Sequence, residues 1–245
     1  MKQIEHSAIE VEFNSLSESV EKTAKVCTDA VVKGDPAFAK KLWRLKHKTP
    51  FEHNTYVCID NEVNDQVRKV IILAKEAGIH QPAFRITQTG MVIGSFRAWS
   101  ELKYYKEVNF KDLESSLVEY RGPDARRTFF VTTNIGVARE ILRHRDFSFT
   151  ERSTRYVKEH EFNPTVHSDA MEMSFNSDLS LLKHLKEDSV KRDVYRELLP
   201  LCTKTNFYMT GFQDMFPHFI GLRLGAGAHP SAKAVAQSIE SLICL

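Results

Sequence analysis

Apolar positions first recur at helical spacing through residues 16–32, where Val20, Ala24, Cys27 and Val31 fall on one stripe. Gly34-Asp35-Pro36 interrupts that stripe, and Pro36 is placed to open a second helix, "PAFAKKLWRLKHK". The rhythm then shortens. "IEHSAIEVEF" and the Tyr56–Cys58 stretch behind "TPFEH" read as strands, the latter entered from a turn marked by Pro50. Residues 64–79 return to helical spacing, with Val67, Val70, Ile71 and Ala74 on one face and Gly78 as a stop. "RITQTGMVIGSFRAWSELKYY" reads as a short strand or turn leading into a helix. "RRTFFVTTN", 126–134, is rich in β-formers and predicts a central strand. Asn134 is placed to cap a helix starting at Ile135.

Three helical segments close the chain. The first ends at Pro200, and is one helix or two. The second, "DMFPHFIGLRL", groups Met215, Phe216, Phe219, Ile220 and Leu222, with Pro217 tolerable near its first turn. The third has Pro230 at its first position. Strands alternating with more numerous helices predict an α/β or α+β domain with one central sheet. No fixed-period repeat and no low-complexity segment interrupts the 245 residues.

Composition narrows the function classes. Lys plus Arg total 34 against 32 for Asp plus Glu, a net charge of +2 that argues against a nonspecific nucleic-acid wrap. Cys27, Cys58, Cys202 and Cys244 form no CxxC pair, which argues against a zinc ribbon or a disulfide scaffold. The N-terminus lacks the apolar run of a signal peptide and no stretch has the length of a membrane span, so a reduced, cytoplasmic protein without membrane partners is expected.

The basic charge is local. "RHRDFSFTERSTRY", 143–156, holds Arg143, Arg145, Arg152 and Arg155 with no lysine before Lys158. Arginine clamps a phosphate through two parallel N–H bonds where lysine offers a point charge, so the choice favours a shaped anion. If the preceding helix runs through Arg143, then Glu140, Arg143 and His144 share a face, with Val137 and Ile141 on another. The competing reading is a solvated helix end with ion pairs. A metal site is disfavoured: His144 has no histidine at i+4 and is flanked by arginines. Taken singly, His53 in "TPFEH", Arg97 and Trp99 in "SFRAW", Arg196, and the glycines of "GLRLGAGAHPSAK" have structural explanations equally at hand.

Taken in order, these pieces resemble the flavin-dependent thymidylate synthase family. Its signature, Arg-His-Arg, seven residues, then Ser, reads here Arg143-His144-Arg145, "DFSFTER", Ser153, followed by Thr154-Arg155-Tyr156. "TPFEH" upstream, "RDVYRELLPLCTKTNFYMTG" and "LRLGAGAHPSAK" downstream complete four blocks in the family's order, over roughly residues 45–243. The resemblance is to the longer members, and implies a single domain, 1–245, with an inserted segment at about residues 62–125. It implies a mostly antiparallel central sheet flanked by helices.

It also implies a chemistry: reductive methylation of dUMP to dTMP, with 5,10-methylenetetrahydrofolate as carbon donor and FAD, reduced by NADPH, as hydride source. No cysteine nucleophile is required. The implied catalytic residue is Arg223, at the uracil ring, where developing negative charge needs stabilising. Glu140, Arg143, Glu151, Ser153, Arg155, Arg196 and Arg223 are the implied dUMP ligands. His53, Thr55, Arg143, His144, Arg145, Glu151 and His218 are the implied FAD contacts. The implied assembly is a homotetramer with shared sites.

The chain departs from the pattern after "MTG". Phe212 stands where the family has Asn, and Asp214 where it has Arg, a charge reversal near a pyrophosphate-bearing cofactor. Ser95 stands where Asn is expected, and Gly225, His229 and Ser231 replace acidic and Gln/Glu positions. Two alternatives follow: a related flavoenzyme with another one-carbon outcome, such as hydroxymethylation, or a non-catalytic binder of the nucleotide or of nucleic acid.

Overall fold

The computed structural model describes residues 5–79, 82–102, 113–156, 169–191, 194 and 196–243. Among them the elements run β1 (Ser7–Glu10), α1 (Leu16–Lys25), α2 (Pro36–Arg44), β2 (Tyr56–Cys58), α3 (Asn61–Glu76), β3 (Phe84–Ile86), β4 (Val92–Gly94), α4 (Phe96–Glu101) and β5 (Leu117–Glu119). Then come β6 (Arg127–Asn134), α5 (Ile135–Ile141), β7 (Ser148–Glu151), α6 (Asp169–Glu187), β8 (Lys204–Gly211), α7 (Phe216–Leu224) and α8 (Pro230–Ile243). The fold is α+β.

The expectation of one central sheet is corrected to two, each four-stranded and antiparallel, ordered β1-β6-β8-β7 and β3-β4-β2-β5. Strand length explains the division. β6 and β8 are both eight residues long and pair from Arg127↔Gly211 to Asn134↔Lys204, so each fills the other's edge. The strands of residues 56–119 have three residues each and close on one another.

Each sheet has its own core. Phe129 and Val131 of β6 pack with Phe216, Phe219, Val235 and Ile239 of α7 and α8. Around the second sheet, Val20, Phe51, Val67, Phe84, Phe96 and Trp99 form another cluster, and Trp99 Nε1 donates to the Tyr56 carbonyl at 2.9 Å. A polar strut joins the two. His53, ahead of β2, sets Nδ1 2.7 Å from Thr210 Oγ1 on β8 and Nε2 2.8 Å from Thr150 Oγ1 on β7. Arg126, ahead of β6, donates to the Glu52 carbonyl, to Ser148 Oγ at 2.8 Å and to the Thr210 carbonyl at 3.2 Å.

Several expected boundaries move. α1 ends at Lys25, so Val31 leaves the stripe and is 77% exposed. The cause is Glu21: its carboxylate takes the Lys25 ammonium and accepts the N–H groups of Lys33, Gly34 and Asp35, folding the loop back. These bonds hold the Glu21 carboxyl down to about 2. Val70 and Leu222, expected on buried faces, are exposed. Asn134 caps α5 as expected, accepting from Val137 N at 2.9 Å, but α5 stops at Ile141. Arg143-His144-Arg145 therefore lies in the turn between α5 and β7, not on a helical face. β7 and β8 carry no helical spacing and were not among the expected elements; the 191–200 region shows a 3-10 turn at Arg196–Leu198.

Candidate functional site

The end of β7 and the start of α5 enclose a pocket of about 550 Å³, lined by Arg139, Glu151, Arg152, Ser153, Thr154 and Arg196 among others. Backbone bonds set its shape. Arg152 N donates to the Asn206 carbonyl at 2.7 Å, and Gly136 N to the Leu201 carbonyl at 3.0 Å. The loop after α1 supports the far side, where Ser153 N donates to the Cys27 carbonyl at 3.2 Å.

The electrostatics of this pocket suit an anion with hydroxyls. Arg139, Arg152 and Arg196 line one cavity, together with Glu151 and Glu197. Arg152 is oriented by Asp29, which accepts from its Nε at 2.9 Å and also from Nη2. Arg196 is exposed, and so able to close on a ligand. Glu151 accepts from Thr205 Oγ1 at 2.9 Å, and burial pushes its carboxyl up despite that bond and Arg139. Of the expected dUMP ligands, Glu151, Ser153 and Arg196 meet here. Arg155 follows on the same turn, exposed, with its N–H on Ser153 Oγ at 3.2 Å. Arg139 was not singled out from sequence, although it sits one residue before Glu140.

Glu140 points elsewhere, into a second cluster. Arg223, near the end of α7, donates from Nε to His144 Nε2 at 2.9 Å, from Nη1 to Glu140 Oε2 at 3.2 Å and from Nη2 to the Glu140 carbonyl at 2.9 Å. Burial, then the charges of Arg223 and His218, lower His144 to about 4. The His218 and Phe219 rings lie 6.4 and 5.0 Å from that of His144. Glu140 and His144 thus meet on the guanidinium of Arg223 from far along the chain, with α5 carrying Arg139 toward the pocket and Glu140 toward Arg223.

Arg145 lines a third place, a pocket of about 260 Å³ with Glu52, Ser95, Arg97, Arg126 and Ser148. Glu101 and Asp146 share that wall, and Glu52 and Glu101 take the Arg97 guanidinium, so the lining is mixed in charge and its volume encloses only part of a group as large as FAD. Arg143 is exposed. His53 and Thr55 differ from the other expected cofactor contacts. His53 is 1% exposed with both ring nitrogens at threonine hydroxyls, and burial, then Arg126, lower it to about 3. Thr55 Oγ1 accepts from Arg126 N at 2.8 Å. As folded, both serve the strut between the sheets.

The departures at 212 and 214 have local partners. Phe212 is 2% exposed, with the Arg85 and Arg126 guanidinium groups 4.9 and 5.5 Å from its ring. Asp214 accepts from Arg85 Nε at 3.0 Å. An apolar ring in place of an amide fits the first core, and the reversed charge at 214 is met by a cation from β3. No group of metal-ligating side chains occurs among the described residues, and no described helix is long and apolar enough to cross a membrane.

Residues 124–244 match the family described as thymidylate synthase complementing protein. That stretch holds β6, β7, β8 and every expected site residue except His53 and Thr55. Among curated proteins, the chain is 29% identical over 124 residues to a probable flavin-dependent thymidylate synthase of Paramecium bursaria Chlorella virus 1, covering 41% of this chain and 57% of that protein. It is 28% identical over 140 residues to the flavin-dependent thymidylate synthase of Thermosipho africanus, covering 47% of this chain and 61% of that one. The corresponding enzyme of Aquifex aeolicus is 27% identical over 141 residues, 47% of this chain and 44% of its own length. The chain thus spans about half the length of these relatives. Through residues 124–244, with the arginine-lined pocket and the Arg223 cluster inside them, the chain matches the thymidylate synthase complementing protein family, and the curated proteins it resembles are flavin-dependent thymidylate synthases.

Proposed function

We propose that this protein is a flavin-dependent thymidylate synthase, a transferase that methylates dUMP to dTMP with 5,10-methylenetetrahydrofolate as carbon donor and NADPH as reductant. The observation that carries the reading is the pocket where Arg139, Arg152, Arg196, Ser153 and Glu151 converge. Arginine forks and a hydroxyl suit the phosphate of dUMP, and Glu151 suits a sugar hydroxyl. Arg155 closes the same ligand from the adjoining turn.

Arg223 activates the ring in this reading. Methylation at C5 of uracil builds negative charge on the ring oxygens, and a guanidinium held in advance by Glu140 and His144 stabilises that charge without reorganising. His144 accepts from Arg223, so the imidazole is neutral and leaves the positive charge on the guanidinium. FAD bound along Arg143, His144, Arg145 and His218 would supply the hydride. His53 and Thr55 hold the strands behind it.

A homotetramer completes the site. Arg145, the Arg223 cluster and the phosphate pocket occupy different places on one chain. α6 buries Phe175 and Leu182 while Met171, Met173 and Leu181 are exposed, an apolar surface suited to another copy. A single domain over 1–245, with an inserted segment at about residues 62–125, is the corresponding organisation.

The test is the spectrum of the purified protein with and without added FAD and dUMP, followed by NADPH oxidation and mass analysis of the nucleotide. A flavin spectrum, dUMP-dependent oxidation and dTMP as product support the reading. A hydroxymethylated product would replace it with the related flavoenzyme. Nucleotide binding with no flavin uptake would replace it with a non-catalytic binder, the reading that Phe212 and Asp214 favour.

A further inference from the structure

The arginine pocket is not held in shape by residues 124–244 alone. The loop between α1 and α2, residues 26–35, meets the strip that lines it at three points. The Cys27 carbonyl accepts from Ser153 N at 3.2 Å, and Cys27 Sγ donates to the Glu151 carbonyl at 3.2 Å. Asp29 takes one edge of the Arg152 guanidinium, accepting from Nε at 2.9 Å and from Nη2. Neither Asp29 nor Arg152 is among the dUMP ligands that the family resemblance implies.

The loop is itself tied down. Glu21, fully buried, accepts the N–H groups of Lys33, Gly34 and Asp35, and Lys25 Nζ reaches from Glu21 to the Val31 carbonyl at 2.6 Å. Asp29 has φ 52, in the left-handed region that Asp and Asn enter more readily than other side chains. The turn delivers its carboxylate to Arg152, whose side chain is 12% exposed against 46% for Asp29. Charge alone argues against a carboxylate at this place, since it weakens the pull on a phosphate. Conformation argues for it. A loose arginine loses rotamer freedom when it grips a ligand, and Glu151 and Glu197 in the same lining would compete for it. Asp29 settles the Arg152 rotamer in advance.

We propose that Asp29 is a positioning residue for phosphate binding in this pocket: it presets Arg152, and through Arg152 the α1–α2 loop sets the affinity for the phosphate of a nucleoside monophosphate. The inference rests on the pocket being a phosphate site, as in the proposed function. It adds a residue from outside the matched stretch, acting on an arginine that no family motif marks.

The test is calorimetric titration of the full chain with dUMP and with inorganic phosphate, in wild type, Asp29→Asn, Arg152→Met and the double variant. Asparagine keeps the shape of the side chain and the left-handed turn and removes the charge. Loss of a negative charge alone would tighten phosphate binding, so the sign of the change decides. Asp29→Asn should weaken both ligands roughly three- to thirtyfold, and the double variant should bind no more weakly than Arg152→Met. Arg152→Lys serves where methionine does not fold. Asp29→Asn should melt with wild type, because a half-exposed ion pair adds little stability. Unchanged or tighter binding in Asp29→Asn overturns the proposal. So do additive losses in the double variant, or a loss that comes only with a lower melting temperature. Inorganic phosphate bound with this dependence, and dUMP not bound, supports the positioning role and overturns the synthase reading instead. Wild type that binds neither ligand overturns both.

Discussion

Arg223 Nε donates to His144 Nε2 at 2.9 Å, which fixes the tautomer: the imidazole is neutral and carries its hydrogen on Nδ1. His144 is lowered to about 4, first by burial and then by Arg223. Replacing Arg223 with alanine removes that charge and should raise the His144 pKa. Ring nitrogen shifts followed by NMR through pH 3–8 check this. A His144 titration that the substitution leaves in place would show that the guanidinium does not act on the imidazole.

The arginine pocket predicts a phosphate-dependent loss. A hydrogen bond to a charged group is worth about 1.5–3 kcal/mol, so Arg196→Ala should weaken dUMP binding by roughly 10- to 100-fold. Deoxyuridine, without the phosphate, should bind wild type and variant alike. Competition calorimetry with the two ligands measures the difference, and equal losses for both would place Arg196 away from the phosphate.

His53 predicts acid sensitivity. Its folded pKa of about 3 lies below the ordinary histidine value of 6.5, so the unfolded chain binds the extra proton first. Stability is fully present above pH 6.5 and falls as the pH drops toward 3. Urea melts at pH 7.5 and 5 should show this loss. It should shrink in His53→Gln, which keeps hydrogen bonds but cannot titrate. The same melts at pH 7.5 should show His53→Ala destabilised by about 2–4 kcal/mol, because Thr150 loses the imidazole and Thr210 keeps only Thr128.

Phe212 and Asp214 should separate in stability measurements. Phe212→Ala empties a site in the first core and should cost about 3–5 kcal/mol. Asp214→Asn breaks a pair whose carboxylate is mostly exposed and should change stability by about 0–1 kcal/mol. Thermal denaturation of the two variants settles the ranking. A large loss at Asp214 would mean that the Arg85 pair holds β3 in place.

What could be read from sequence was decided by local chemistry. Asn134 as a cap, Pro230 as a helix opener and β6 as a central strand follow from residues within one turn of the feature, and each stands. The Arg143–Tyr156 strip predicts a shaped anion site, and Glu151, Arg152, Ser153 and Thr154 of that strip line one pocket. What escaped depends on partners far along the chain. His53 looks like a ligand in "TPFEH", yet Thr150 and Thr210, 97 and 157 residues away, take both its nitrogens. Arg126 and Arg85 carry no motif, and their roles come from Glu52, Phe212 and Asp214. The end of α1 was missed because Glu21 captures backbone amides that lie beyond the helical stripe.

The Arg126 strut also limits how this chain can be cut and joined. The family match starts at residue 124, an inviting boundary just ahead of β6. Arg126 nevertheless depends on the Glu52 carbonyl and Thr55 Oγ1, both in the preceding part. A fragment started at 124 would leave the Arg126 guanidinium with Ser148 and Thr210 but without the Glu52 carbonyl, and would remove the His53 ring from between Thr150 and Thr210. The matched stretch is therefore not a portable module: any chimera that keeps it must also carry Glu52 through Thr55.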